Sequence, residues 1–203
     1  IKHFITGHWN GQLSYKGFYD RYLYTRTLLE DVQALAKKGG DFRKFSKGYT
    51  LTQKFSNLVN SPGISESGHE LSLNHLYKVY SGKPSFVEKL RELIRNRRFN
   101  EGYAKLREGI IKGAYLCTES ELIRYAYYFL GQRKQADHAI KLFKLSVELY
   151  PDSWNAYDSL AEAYVKKGDM KLALKLYQKS VSLNPDNHHG KKEIAKIKKS
   201  LRG

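Results

Sequence analysis

Apolar residues return along most of this chain at intervals of three, four or seven, the period of helices with one buried face. Over about 14–37 the series is Phe18, Tyr22, Leu29, Val32 and Leu35. Gly39-Gly40 ends it, since glycine takes up the left-handed cap conformation without a Cβ penalty. Phe42 and Phe45 lead to a second helical segment near 51–59, and Ser61-Pro62-Gly63 is a break. A third helix is predicted over 65–80, with Leu71, Leu73, Leu76, Tyr77 and Tyr80 available for a core. Beyond Ser81-Gly82-Lys83-Pro84 the helices come in pairs. Ser85 and Glu88 have capping-box spacing ahead of a helix reaching about 97, and its partner spans about 100–112. Thr118 and Glu121 repeat the device before Leu122, Ile123, Ala126, Tyr127 and Leu130, and a partner over 135–149 carries Ala139, Ile140, Phe143 and Val147.

Only the start departs from helical periodicity. Lys2 to Thr6 is a short β-prone run, and Gly7-His8-Trp9-Asn10-Gly11 reads as a tight loop at its end. The expected fold is all-α: a stack of helical hairpins over 83–203, preceded over 1–82 by a small, mostly helical region with one short N-terminal strand.

Within the stack the sequence repeats. Ala139, Phe143, Ser146 and Pro151 return 34 positions later as Ala173, Tyr177, Ser180 and Pro185. Small, aromatic, small and proline at this period resemble the tetratricopeptide repeat. The second copy also places Tyr157, Leu160, Ala161, Tyr164 and Gly168 at that family's signature positions; the first departs from them at Ile123, Leu130 and Lys134. Gly102, Leu106 and Gly109 keep the small, large, small spacing and look like a degenerate earlier copy. Repeats are thus expected at about 85–115, 120–153 and 154–187, with a capping helix within 188–202, where Lys191, Lys192, Lys196, Lys198, Lys199 and Arg202 supply the polar outer face a terminal repeat needs. The resemblance implies that the first helix of each hairpin lines a groove for a protein or peptide. Carried over by position, the lining is Glu121, Arg124 and Tyr128 from one repeat and Asn155, Asp158, Glu162 and Lys166 from the next. Self-association through the same stack is a further expectation.

A second resemblance concerns the N-terminal region. Phe4-Ile5-Thr6-Gly7-His8, followed by a helix with Tyr19, Tyr22 and Leu23, is similar to the C-terminal end of a metallo-β-lactamase-fold hydrolase. In that family a late strand ends in Gly-His, and the histidine ligates a catalytic zinc ion. The resemblance implies a metal-ligand role for His8 and zinc in a parent protein. The family's His-x-His-x-Asp-His motif does not occur in this sequence, so the catalytic core would lie upstream of Ile1. The alternative reading is therefore the C-terminal fragment of a zinc hydrolase with a repeat tail, as tetratricopeptide tails follow several unrelated bacterial catalytic domains.

Composition narrows these options. The 203 residues are 41% hydrophobic and 28% charged, a globular balance, and no apolar run approaches the ~20 residues of a membrane helix. A soluble chain is expected, of undetermined compartment. It opens at Ile1 without Met and reads as a fragment or a processed product. The net charge of +16 is uneven: residues 1–82 hold 11 Lys and Arg against 6 Asp and Glu, and 83–203 hold 25 against 14. Nucleic acid is not the favoured partner, because no aromatic residue is interleaved among the terminal lysines to stack on bases. A single cysteine, Cys117, excludes an intrachain disulfide and a cysteine-cluster metal site. Gly-x-Ser-x-Gly, phosphate-loop and His-Glu-x-x-His motifs are absent from the sequence. The chain itself is expected to have no catalytic residues and no cofactor, and to act as an interaction module.

Overall fold

The computed structural model describes residues 15–56, 66–132 and 134–201. Among the described residues it is all-α, and the chain divides into two compact units, 1–83 and 84–203. The strand expected near Phe4 and the Gly7-His8 loop lie outside the described residues.

The first unit contains α1 (Tyr15–Lys37), α2 (Phe42–Lys47), α3 (Leu51–Lys54) and α4 (Glu66–Ser81). α1 and α4 pack along each other, and the two short helices sit against α4. The buried face of α1 is only partly the expected one, with Val32 on it as expected. Leu28 and Val32 are the buried residues, Leu29 is half-buried, and Tyr22 is exposed. Adjacent leucines let the helix turn by one position, and Tyr24 fixes the choice. Its ring meets Phe55 edge-on at 5.0 Å and its hydroxyl lies 2.9 Å from His69 Nδ1. His69 is buried, and its Nε2 is 2.8 Å from the Tyr49 carbonyl oxygen. A carbonyl only accepts, so Nε2 carries the proton and Nδ1 accepts from Tyr24. Tyr49 in turn donates to Asp31 Oδ2 (2.6 Å); burial first, then the Asp31 carboxylate, pushes its phenol pKa up. α2 also departs from expectation, because Phe42 and Phe45 are helical residues, not a lead-in. Phe42 stacks on Tyr77 at 4.3 Å, and the Tyr77 hydroxyl donates to Gly40 O. The helix expected over 51–59 ends at Lys54, and residues 57–59 lie outside the described residues.

The second unit is a run of antiparallel hairpins: α5 (Phe86–Arg95) with α6 (Phe99–Ile111), α7 (Glu119–Gly131) with α8 (Ala136–Leu149), α9 (Trp154–Lys167) with α10 (Met170–Leu183), then α11 (His188–Ser200). Five of the seven helix starts have a side-chain cap, and those of α6 and α8 do not. Ser85 accepts from the Val87 N–H, and Thr118 and Glu121 form a reciprocal capping box. Ser153, Asp169 and Asn187 accept from the third amide after each of them. Gly168, at φ 88°, closes α9 in the left-handed conformation. Gly102 is explained by closeness: a Cβ there would overlap the Leu93 side chain, so glycine lets α6 lie against α5.

The connection from α6 to α7 is where the period stretches. Residues 112–118 run back beside the start of α5, and Leu116 bridges Ser85 through Phe86 N–H to Leu116 O and Leu116 N–H to Pro84 O, both 2.9 Å.

One continuous core threads the unit, from Phe86, Leu90 and Leu106 through Leu122, Phe129, Leu142 and Phe143 to Leu160, Tyr177 and Ile197. Burial of each such side chain contributes about 1.5–3 kcal/mol. The Arg107–Glu148 pair between α6 and α8 is exposed and screened by solvent, so it adds little. The register of α6 on α8 is therefore set by the core and by the half-buried Tyr103, whose hydroxyl donates to Lys141 O at 2.7 Å.

The first-helix face of the repeat region

α7, α9 and α11 are alternate helices of the stack, and hydrogen bonds join each to the next. On α7, Glu121 belongs to the cap: its carboxylate accepts the Thr118 N–H at 3.1 Å, while Thr118 Oγ1 accepts the Glu121 N–H. Arg124 is exposed, with its guanidinium 5.5 Å from the Tyr125 ring centre. Tyr128 is half-buried, its ring edge-on to Phe129. On α9, Asn155 and Lys166 are exposed and Glu162 is half-buried. Lys166 Nζ stands 3.4 Å from Glu162, and Tyr127 of α7 donates to the other Glu162 oxygen at 2.8 Å, with Ser159 Oγ 3.3 Å away. Burial is the largest influence on Tyr127 and pushes its pKa up; the Ser159 bond opposes this, and the Glu162 carboxylate adds to it.

Asp158 differs from the exposed residue expected there. It is only 8% exposed. Its carboxylate accepts from Asn187 Nδ2 at 2.7 Å and pairs with His189 Nδ1 at 2.9 Å. Asn187 Nδ2 also reaches Ser180 Oγ (2.9 Å), while Asn187 Oδ1 accepts the Gly190 N–H. Asp158 is thus a joint between α9 and α11, and it adds to the burial that raises the Tyr177 phenol pKa. The same network gives His189 a partner at the start of α11, which begins at His188 as expected.

The lining expected from the repeat therefore divides by its partners. Arg124, Tyr128, Asn155, Glu162 and Lys166 lie on the neighbouring helices α7 and α9. Glu121 and Asp158 hold helices in place. Two further residues belong to the face and were not singled out from sequence, Tyr127 and His189. His189 had a signal: it continues the 34-residue series 121, 155, 189, as Lys192 and Lys196 continue 124, 158 and 128, 162.

Chemically the face offers hydrogen bonds, charge and aromatic edges. Among the described residues no group of three or more His, Cys, Asp and Glu is placed to hold a metal ion, and His8 lies outside them. Cys117 is buried, and Tyr150 donates to its carbonyl oxygen. No helix among the described residues is long and apolar enough to cross a membrane.

A search of the curated proteins finds no match to this chain. Residues 154–187, which span α9, α10 and the Asn187 cap, match the family model of the tetratricopeptide repeat.

Proposed function

We propose that residues 84–203 are a protein-interaction module that holds a peptide segment of a partner against the face shared by α7 and α9. The observation that carries this reading is the tetratricopeptide match at 154–187, the architecture used for protein contact, joined to a neighbouring hairpin of the same geometry. Arg124, Asn155 and Lys166 present polar groups to solvent, and Tyr128 offers an aromatic edge between them. Glu162 is held by Tyr127 and so presents a fixed acceptor.

The test uses the full chain as bait for a random peptide display library. Selected peptides should bind the Arg124→Ala/Tyr128→Ala/Asn155→Ala variant at least about tenfold more weakly, since a few central side chains carry most interface energy. These residues lie at the surface or half-buried, so circular dichroism should report an unchanged fold. Peptides that bind the variant as well as the parent would reject the α7–α9 face as the site.

A further inference from the structure

We infer that the lysines of α10 and α11 outside the first-helix series that Lys192 and Lys196 continue form a second docking surface, and that it takes an acidic polypeptide segment. The observation is a change in charge pattern along one stack. Helices α5 to α9 carry ten Lys or Arg and ten Asp or Glu. α10 and α11 carry eight Lys and one Glu. In the earlier helices cations meet carboxylates: Lys89 with Glu92, Arg98 with Glu101, Arg107 with Glu148, Lys112 with Glu108, Lys167 with Asp137. On the last hairpin only Lys196 does so, with Glu193. Lys171, Lys175, Lys191, Lys198 and Lys199 are exposed, and among the described residues none forms an ion pair.

Solubility does not require this. A face of mixed sign solvates the end of a stack equally well, whereas like charges one helical turn apart destabilise their helix. Lys171, Lys175 and Lys179 stand at that spacing on α10, and Lys192 and Lys196 on α11. Local cost without local benefit is the mark of a surface kept for a ligand.

The rest of the hairpin says which polyanion fits. Both helices lack arginine and hence the planar fork that grips phosphate through two bonds. Their amino ends, where a phosphate would meet free amides, are taken by Asp169 and Asn187, and Asp169 is itself an anion. Tyr177 is buried, and the exposed rings are the imidazoles of His188 and His189 at the first turn of α11, His189 held by Asp158, so no ring is interleaved along the lysines to stack on a base. Their large apolar residues are turned into the packing, Ile197 buried and Ile194 partly so, and the one exposed leucine, Leu201 just past α11, is too little to hold a helix in a bilayer. What remains is a row of flexible single-point cations, which suits separate carboxylates along a polypeptide.

The probe is a fluorescein-labelled glutamate-rich peptide, with duplex DNA of equal charge and phosphatidylserine vesicles as comparators, all titrated with the full chain. The peptide should bind in a salt-sensitive way and more tightly than either comparator. The variant K171Q/K175Q/K191Q/K198Q should lose at least about tenfold in affinity, while K89Q/K105Q/K112Q/K144Q, with the same change in net charge, should lose less than about twofold. The Arg124→Ala/Tyr128→Ala/Asn155→Ala variant should bind the peptide as the parent does, which separates this surface from the α7–α9 face. Equal losses in the two lysine sets, tighter binding to DNA or vesicles, or no measurable peptide binding would each overturn the inference. Thermal melts of both sets confirm that the comparison is between folded chains.

Discussion

Ser146 and Ser180 stand 34 residues apart, at equivalent positions of successive second helices, and both are buried. Their hydroxyls have different fates. Ser180 Oγ donates to the Trp154 carbonyl at 2.8 Å and accepts from Asn187. Ser146 Oγ is buried with no hydrogen-bond partner among the described residues. A small residue is what the packing asks for at both sites; a hydroxyl is used at only one. Removing an unsatisfied buried group relieves its desolvation penalty, while removing a satisfied one strands its partners. Ser146→Ala should therefore be neutral or stabilising by up to about 1 kcal/mol, and Ser180→Ala should destabilise by roughly 1–2 kcal/mol. Urea unfolding of the two variants checks this, and a loss at Ser146 matching that at Ser180 would contradict it.

At the scale of elements, α11 hangs on one residue. Asn187 caps it through Gly190, and its amide nitrogen ties it to Asp158 and Ser180. Asn187→Ala removes the cap and takes one of two partners from a buried carboxylate, so a loss of about 2 kcal/mol is expected. The loss should be local, with amide exchange rising over 188–200 before it rises in α7 or α8. Uniform acceleration across the unit would count against a separable α11. Two of the caps were legible in the sequence, because Ser85 and Thr118 act on backbone groups within a few residues. The hairpins were legible through their spacing, since a helical period of apolar residues states which side is buried. Two kinds of information were not. The face of α1 turned on Tyr24 meeting His69, 45 residues away, and Asp158 was covered by a histidine 31 residues later. Helical spacing puts a side chain on a face, but the later element that covers that face is named by no local pattern. For the same reason the α7–α9 positions could be numbered from sequence, while Tyr127, the hydroxyl that fixes Glu162, was read only as an apolar residue.

For the molecule as a whole, buried phenols and exposed lysines set opposing responses to alkali. Burial raises the Tyr103 pKa to about 12, with Glu148 adding to the shift and Arg107 opposing it, and burial likewise raises Tyr127 and Tyr177. An unfolded phenol titrates near pH 10. Below that pH the folded and unfolded chains hold the same phenolic protons and the full stability is present. As pH rises from about 10 to about 12, the unfolded chain releases protons that the folded one keeps, so stability falls. Lysines lose charge over the same range, which relieves repulsion on a chain of net charge +16 and acts in the opposite direction. Salt separates the two, since it screens the exposed lysines and leaves the buried phenols nearly untouched. Urea midpoints measured in about 0.5 M salt should therefore drop steadily above pH 10, with the parent falling more steeply than Tyr103→Phe. The variant lacks the bond to Lys141 O and should start lower at neutral pH, so the slope and not the midpoint is the readout. Parallel slopes for the two proteins would mean that Tyr103 ionises as freely in the folded stack as in the open chain, and that the second unit is looser around α6 and α8 than its packing implies.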